Sequence, residues 1–206
     1  MSGGIEFPLN VADLLHERGR AAKFPCVVTA AQRHAYARQL ECFQRASEGF
    51  SIARISSCEV VAFDMPGTGE STLELSKDAD LVYRAVIAAC GGAHRRTGIF
   101  GISFGGHWAA KLALKGDVDF AVNLGGPIAA ASTDAALLVN LPNGMTGIVA
   151  NAMRLPSLPT AAVVTSILEA FSLSAQGLLT PHALSAMSPM LVINGDDDPY
   201  VPPSAG

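Results

Sequence analysis

Ile99-Phe-Gly101-Ile-Ser103-Phe-Gly105-Gly-His107-Trp-Ala-Ala110 is the stretch that decides the fold. Its apolar start reads as a strand, the small residues from Gly105 onward as a helix, and Ser103 stands on the sharp turn between them. Such a turn strains the serine backbone, so the positions two before and two after it must lack side chains that would collide. Gly101 and Gly105 meet that need. At a strand end and a helix start, the Ser103 hydroxyl stands above the sheet. The Phe104 backbone N–H is there to stabilise a developing oxyanion. Given this chain's glycine and serine content, Gly-x-Ser-x-Gly arises somewhere by accident with a chance of roughly one in seven. Its setting between a strand and a small-residue helix is what makes it a feature of the scaffold.

The same alternation extends outward from the turn. Short apolar runs at 59–63, 97–101, 119–124 and 189–194 read as strands, and helix-like segments at 77–90 and 105–115 fill the gaps between the first three. That pattern implies an α/β fold with a doubly wound, mostly parallel sheet. Residues 34–48 set Tyr36, Leu40, Phe43 and Ser47 on one stripe, an amphipathic helix outside the sheet. Between Gly126 and Met187, proline breaks and helical stretches such as 160–172 read as an insertion forming a cap over the site. The expected organisation is an N-terminal helical region (1–50), a core (51–127), a cap insertion (128–187), and a last core strand with its acidic turn (188–206).

Two further turns follow strands. Val60-Val-Ala-Phe-Asp64-Met-Pro-Gly67-Thr-Gly69-Glu-Ser71 ends in a tight turn where Asp64 can bind neighbouring N–H groups, a structural role. Met190-Leu-Val-Ile-Asn-Gly195-Asp-Asp-Asp198-Pro-Tyr-Val-Pro202 puts carboxylates at the carboxyl edge of the sheet, where sites in open α/β sheets form. Asp198 is the candidate acid, whose work would be to orient a histidine and stabilise its imidazolium. The three aspartates also fit a solvated turn or a metal site, although they lack calcium-loop spacing and a nearby His or Cys. No phosphate-binding glycine motif occurs, so neither a cofactor nor a metal is expected.

Composition narrows the partners. The chain has 206 residues, half of them hydrophobic, enough for one sizeable core, and a mild net charge of −4. Without a Lys/Arg cluster, nucleic acid and anionic membrane are not expected, and small molecules are. Cys26, Cys42, Cys58 and Cys90 are scattered without Cys-x-x-Cys spacing, and the N-terminus lacks a basic region followed by an apolar run. Reduced thiols and a cytoplasmic location are the expectation. The most apolar stretches are interrupted by Asp134, Asn140, Pro142, Arg154, Pro156 and Pro159, so no membrane-spanning helix is expected.

Asp64-Met-Pro-Gly-Thr-Gly-Glu-Ser71, Gly101-Ile-Ser-Phe-Gly-Gly106 and Asn194-Gly-Asp-Asp-Asp-Pro-Tyr-Val-Pro202, in this order, resemble an α/β-hydrolase. Phe171-Ser-Leu-Ser-Ala-Gln-Gly-Leu178 and Asn123-Leu-Gly-Gly-Pro127 are similar to the FrsA-like esterase group, which includes fungal polyketide-shortening hydrolases. The N-terminal Phe24-Pro25 and Tyr36-Ala-Arg-Gln-Leu-Glu-Cys-Phe43 look like that group's helical region. The resemblance implies Ser103 as nucleophile, Asp198 as acid, and a histidine a few tens of residues beyond Asp198, whereas the sequence ends at Gly206. It also implies several strands, a helix and an oxyanion loop before the Asp64 turn. Phe50-Ser-Ile-Ala-Arg-Ile-Ser56 looks like the first strand, and the three residues before Val60 cannot hold a crossover, so early strands are expected to be missing.

Other histidines are poor bases on this reading. His107 sits one turn into the helix that Ser103 opens, and His182 lies in the cap with nothing to orient it. His16, His34 and His94 read as solvated. The expected function is hydrolysis of an ester or acyl/ketide bond in a small apolar substrate, impaired without the histidine. The alternative is an inactive hydrolase-like pseudoenzyme or interaction module. Oligomeric state is not legible.

Overall fold

Each of the four expected apolar runs forms a strand of one parallel sheet, and Gly98–Ile102, largely buried between two neighbours, shows why such a strand is apolar on both faces. The computed structural model describes residues 24–30, 58–69, 71–90, 96–128, 145–198 and 201. Among them, β1 (Phe24–Ala30), β2 (Cys58–Asp64), β3 (Gly98–Ile102), β4 (Phe120–Leu124) and β5 (Met190–Ile193) form one sheet in the order β2-β1-β3-β4-β5. Every pairing is parallel. Helix α1 (Asp80–Cys90) joins β2 to β3, and α2 (Phe104–Leu114) joins β3 to β4. Helices α3 (Met145–Ala152), α4 (Ala161–Phe171) and α5 (Pro181–Ala186) lie between β4 and β5.

Strand β1 lies where the sequence reading placed no strand. It falls inside residues 1–50, expected to be a helical region, yet it is paired to β2 on one side and β3 on the other. The described strand paired with β2 is Phe24–Ala30; the run at 50–56 and the amphipathic stretch 34–48 lie outside the described residues. Residues 31–57 separate β1 from β2, ample for the crossover that parallel neighbours require. The Pro25 in this run is accommodated at the strand's entrance, since pairing with β3 begins only at Cys26 opposite Gly98.

The chain moves outward from β1 to β2, then crosses back to place β3 on the other side of β1. This reversal opens a crevice at the carboxyl ends of β1 and β3, the place where open α/β sheets hold their ligands. Ser103 directly follows β3 at that crevice.

Helix α2 is sealed on all sides, with every residue from Gly105 to Leu114 buried. Its Ala109, Ala110 and Ala113 let it lie close to the sheet, while Trp108 packs with Tyr83, Ile99, Leu112 and Phe171 in the main core. Truncating a tryptophan so enclosed costs about 3–5 kcal/mol. The one charge on this helix, Lys111, is also buried and meets Asp80 of α1 at 3.0 Å. The Lys115 ammonium reaches the other Asp80 oxygen at 2.6 Å. Burial works to raise the Asp80 pKa, but the hydrogen bonds and charges of the two lysines outweigh it and hold the carboxyl below its usual range. No described helix is long and apolar enough to cross a membrane.

Candidate active site

Ser103 has φ 54° and ψ −128°, a backbone conformation rarely tolerated outside glycine. Its neighbours impose it. The Ser103 N–H donates to the Leu124 carbonyl at the end of β4 (2.8 Å), and the Ser103 carbonyl accepts from Gly106 (2.8 Å). A Cβ on Gly101 would collide with the Gly105 carbonyl, so the strand and the helix after it can close on each other only around a glycine. Although Ser103 occupies the N-cap position of α2, its side chain makes no capping hydrogen bond, and the residue is exposed. Phe104 is the first residue of α2, so its N–H has no acceptor four residues back within the helix.

Asp198 follows β5 in a turn closed by its own N–H on the Gly195 carbonyl (3.3 Å). Its Oδ1 accepts the Val201 N–H at 3.1 Å. Its Oδ2 lies 3.8 Å from where a Cβ on Gly125 would stand. Because Ile102 pairs with Leu124 and Leu124 with Ile193, the exits of β3, β4 and β5 are in register. Ser103 and the Asp198 turn are thus two strands apart, roughly 10 Å at the backbone. Over that interval passes the β4 exit, Leu124 to Pro127, bound at one end to Ser103.

A family model described as esterase FrsA-like matches residues 4–206. The chain belongs to the FrsA-like esterase family. Its fold is that of the α/β-hydrolases. The solved structure of AbyA5 is similar at 22% identity and a TM-score of 0.63, covering 90% of this chain and 52% of AbyA5. A second structure, titled AbyA5 Wildtype, gives 21% identity and a TM-score of 0.62, covering 89% of this chain and 49% of that one. NosK from Streptomyces actuosus follows at 17% identity and a TM-score of 0.48, covering 86% of this chain and 79% of NosK. The chain therefore spans about half the length of AbyA5. No curated protein matches the sequence.

In this FrsA-like chain the β4 exit is held by a residue that inspection of motifs passes over. Asn123 is fully buried, and its amide donates to the Gly126 carbonyl (2.9 Å) and accepts the Gly126 N–H (2.8 Å). The loop so folded lies directly on the start of α2, where a Cβ on either Gly106 or Gly126 would strike the Asn123 carbonyl oxygen. The signal in the sequence is an asparagine inside the apolar run Phe-Ala-Val-Asn-Leu, since a polar side chain in a buried strand must find hydrogen bonds.

The histidines within the described residues are elsewhere. His107 is 1% exposed and its Nδ1 lies 3.0 Å from the Pro127 carbonyl. A carbonyl only accepts, so Nδ1 carries the proton and Nε2 is the unprotonated nitrogen. That Nε2 is buried without a hydrogen-bond partner among the described residues, in a cluster with Phe104, Trp108 and Phe171. Burial pushes the imidazole pKa down to about 4, against the raising effect of the Pro127 bond. His182 is exposed on α5, which leads into Ser188, and the Ser188 N–H binds Ala113 at the end of α2 away from Ser103. His16, His34 and His94 lie outside the described residues.

The Asp64 turn serves a different end. Gly67 (φ 81°) presses its α-carbon against the Ala152 backbone, a contact any Cβ would block. The Leu75 N–H donates to the Ala152 carbonyl (2.8 Å), and the Arg154 guanidinium donates to the Thr72 carbonyl (2.5 Å). Helix α3 of the insertion is thereby anchored to the loop after β2. Asp64 is half-buried at the root of this turn, and a Cβ on Gly69 would collide with its carboxylate, which matches the structural reading. Among the described residues no group of His, Cys, Asp and Glu could hold a metal ion.

Proposed function

We propose that this chain carries the nucleophile and acid of a serine esterase site acting on an ester or acyl/ketide bond of a small apolar substrate. The observation that carries the reading is Ser103: a strained residue at the crevice, exposed, with its hydroxyl withheld from the capping bond that a serine at a helix start ordinarily makes. Ser103 Oγ attacks the substrate carbonyl as its proton passes to a histidine, and the Phe104 N–H stabilises the oxyanion. Collapse expels the alcohol or the carbon leaving group with that proton, and water then releases the acyl group from Ser103. Asp198 orients the histidine and balances its charge. The base comes from outside the described residues.

Strand β1 supports a source for the second oxyanion donor. Thr29 is opposite Gly101, so the chain leaving Ala30 starts at the same edge as Ser103. The insertion between β4 and β5 acts as the cap. From 145 to 187 it carries only two charged residues, Arg154 and Glu169, which suits an apolar acyl group. The small-molecule partner and cytoplasmic location belong to the same reading.

A fluorophosphonate probe tests it directly. Stoichiometric phosphonylation of the full chain, mapped to Ser103 by peptide mass spectrometry and abolished in Ser103→Ala, is the expected result. A folded chain that stays unlabelled at millimolar probe would instead favour a pseudoenzyme or interaction module.

A further inference from the structure

Asn194 is the second polar residue at a strand exit that motif reading leaves without a role. It follows β5 directly, and its amide Nδ2 donates to the Val201 carbonyl at 2.5 Å. The N–H of the same Val201 donates to Asp198 Oδ1 at 3.1 Å. Val201 is buried, so these bonds are shielded from competing water. One residue therefore faces Asn194 with its carbonyl and Asp198 with its N–H, closing the loop from 194 to 201 upon itself.

The orientation of the carboxylate follows from this closure. With Oδ1 committed to Val201, the carboxyl plane turns Oδ2 toward Gly125, over β4 and on the Ser103 side of the turn. The Asn194 Oδ1 stands at the same distance, 3.8 Å, from the Gly125 Cβ position and is buried without a hydrogen-bond partner among the described residues. A buried amide left half-satisfied is costly, so its retention at this place calls for a purpose that packing alone does not supply.

We infer that Asn194 is a positioning residue, which fixes the Asp198 carboxylate by holding Val201 in place. The inference rests on the reading of Asp198 as the acid. In an acidic turn that opens on Gly195, a carboxylate held less firmly samples more rotamers, and an acid that wanders by about 1 Å loses much of its effect on rate.

The test uses amide spectra of the full chain recorded across pH. Because the Val201 N–H is bonded to Asp198 Oδ1, its proton shift follows the charge of that carboxyl, and Asp198→Asn provides the reference in which this response is gone. In Asn194→Leu, close in shape but without a donor, the Val201 response disappears while the remaining spectrum stays folded. Asn194→Ala removes the same donor with a smaller side chain and serves if the leucine variant does not fold. In parallel, the rate of Ser103 phosphonylation falls about tenfold in Asn194→Leu, and Asn194→Leu combined with Asp198→Ala is no slower than Asp198→Ala alone. A Val201 response that persists in Asn194→Leu overturns the inference, as does a lost response with an unchanged labelling rate. Should the parent chain not be labelled at all, the esterase reading fails on that result, while the Val201 response still decides whether Asn194 sets the carboxylate.

Discussion

Ser103 holds a conformation that costs about 1–3 kcal/mol, and the structure meets that cost locally, through Leu124, Gly106 and the side-chain-free Gly101. One turn further along, His107 carries a cost of a different kind. Its imidazole is neutral in the folded chain down to about pH 4, whereas in an unfolded chain it takes up a proton near pH 6.5. Between those values the unfolded state binds more protons, so stability falls as pH drops from about 6.5 to 4 and levels off below. The expected loss from this residue is about 3 kcal/mol, read as the slope of the urea midpoint against pH. His107→Phe keeps the aromatic packing and flattens that slope, even if the variant starts from a lower plateau. An equal slope in both proteins would show that His107 is not the group responsible. The pairing of a strained serine with a sealed histidine was half visible in the sequence. Gly-x-Ser-x-Gly announces the strain, but nothing in Gly-His-Trp tells that Pro127, twenty residues on, fixes the tautomer.

The element that matters most is α2, since its first turn bears Ser103 and Phe104. It is held from behind by the Asp80 carboxylate on α1, which binds Lys111 and Lys115 together. The Lys111 ammonium also donates to the Lys77 carbonyl (2.5 Å) and lies 5.5 Å from the centre of the Trp108 ring. Asp80→Ala leaves the buried Lys111 without its counter-charge, and a loss of about 3–5 kcal/mol is expected in urea denaturation. Asp80→Ala combined with Lys111→Met should recover a large part of that loss, because it removes both charges; additive losses would refute the coupling. Elements were the most legible level of this protein. The runs at 59–63, 97–101, 119–124 and 189–194 carry no competing signal and each became a strand within a residue or two. Strand β1 escaped because Phe24-Pro25 opens it, and a proline in a short run argues against a strand unless its place at the entrance is known. Asn123 and Asn194 escaped for a related reason: what they bind is backbone, at Gly126 and Val201, and backbone partners leave no trace in side-chain motifs.

Across the whole molecule, sequence order and spatial order part company at β1. A strand that is first in the chain but second in the sheet cannot be inferred from a neighbouring apolar run; it needs the register with Cys58–Asp64 and Gly98–Ile102. The other side of the sheet raises the opposite question. Strand β5 is at the edge among the described residues, and Leu191, Val192 and Ile193 are 56%, 41% and 43% exposed. Successive residues of a strand point to opposite faces, so β5 is open on both, and no strand among the described residues pairs with its outer edge. The strand itself has no charge or proline to blunt it; Pro189 only precedes it. Such an edge is a template for pairing with another chain. The 206-residue chain is therefore expected to self-associate as concentration rises, visible as a growing weight-average mass in sedimentation or light scattering. Leu191→Lys and Ile193→Lys, on one face, should together shift that curve toward the monomer without unfolding the core, because neither residue belongs to the buried cluster around Trp108. A mass curve that does not respond to the two lysines would locate the association elsewhere on the molecule.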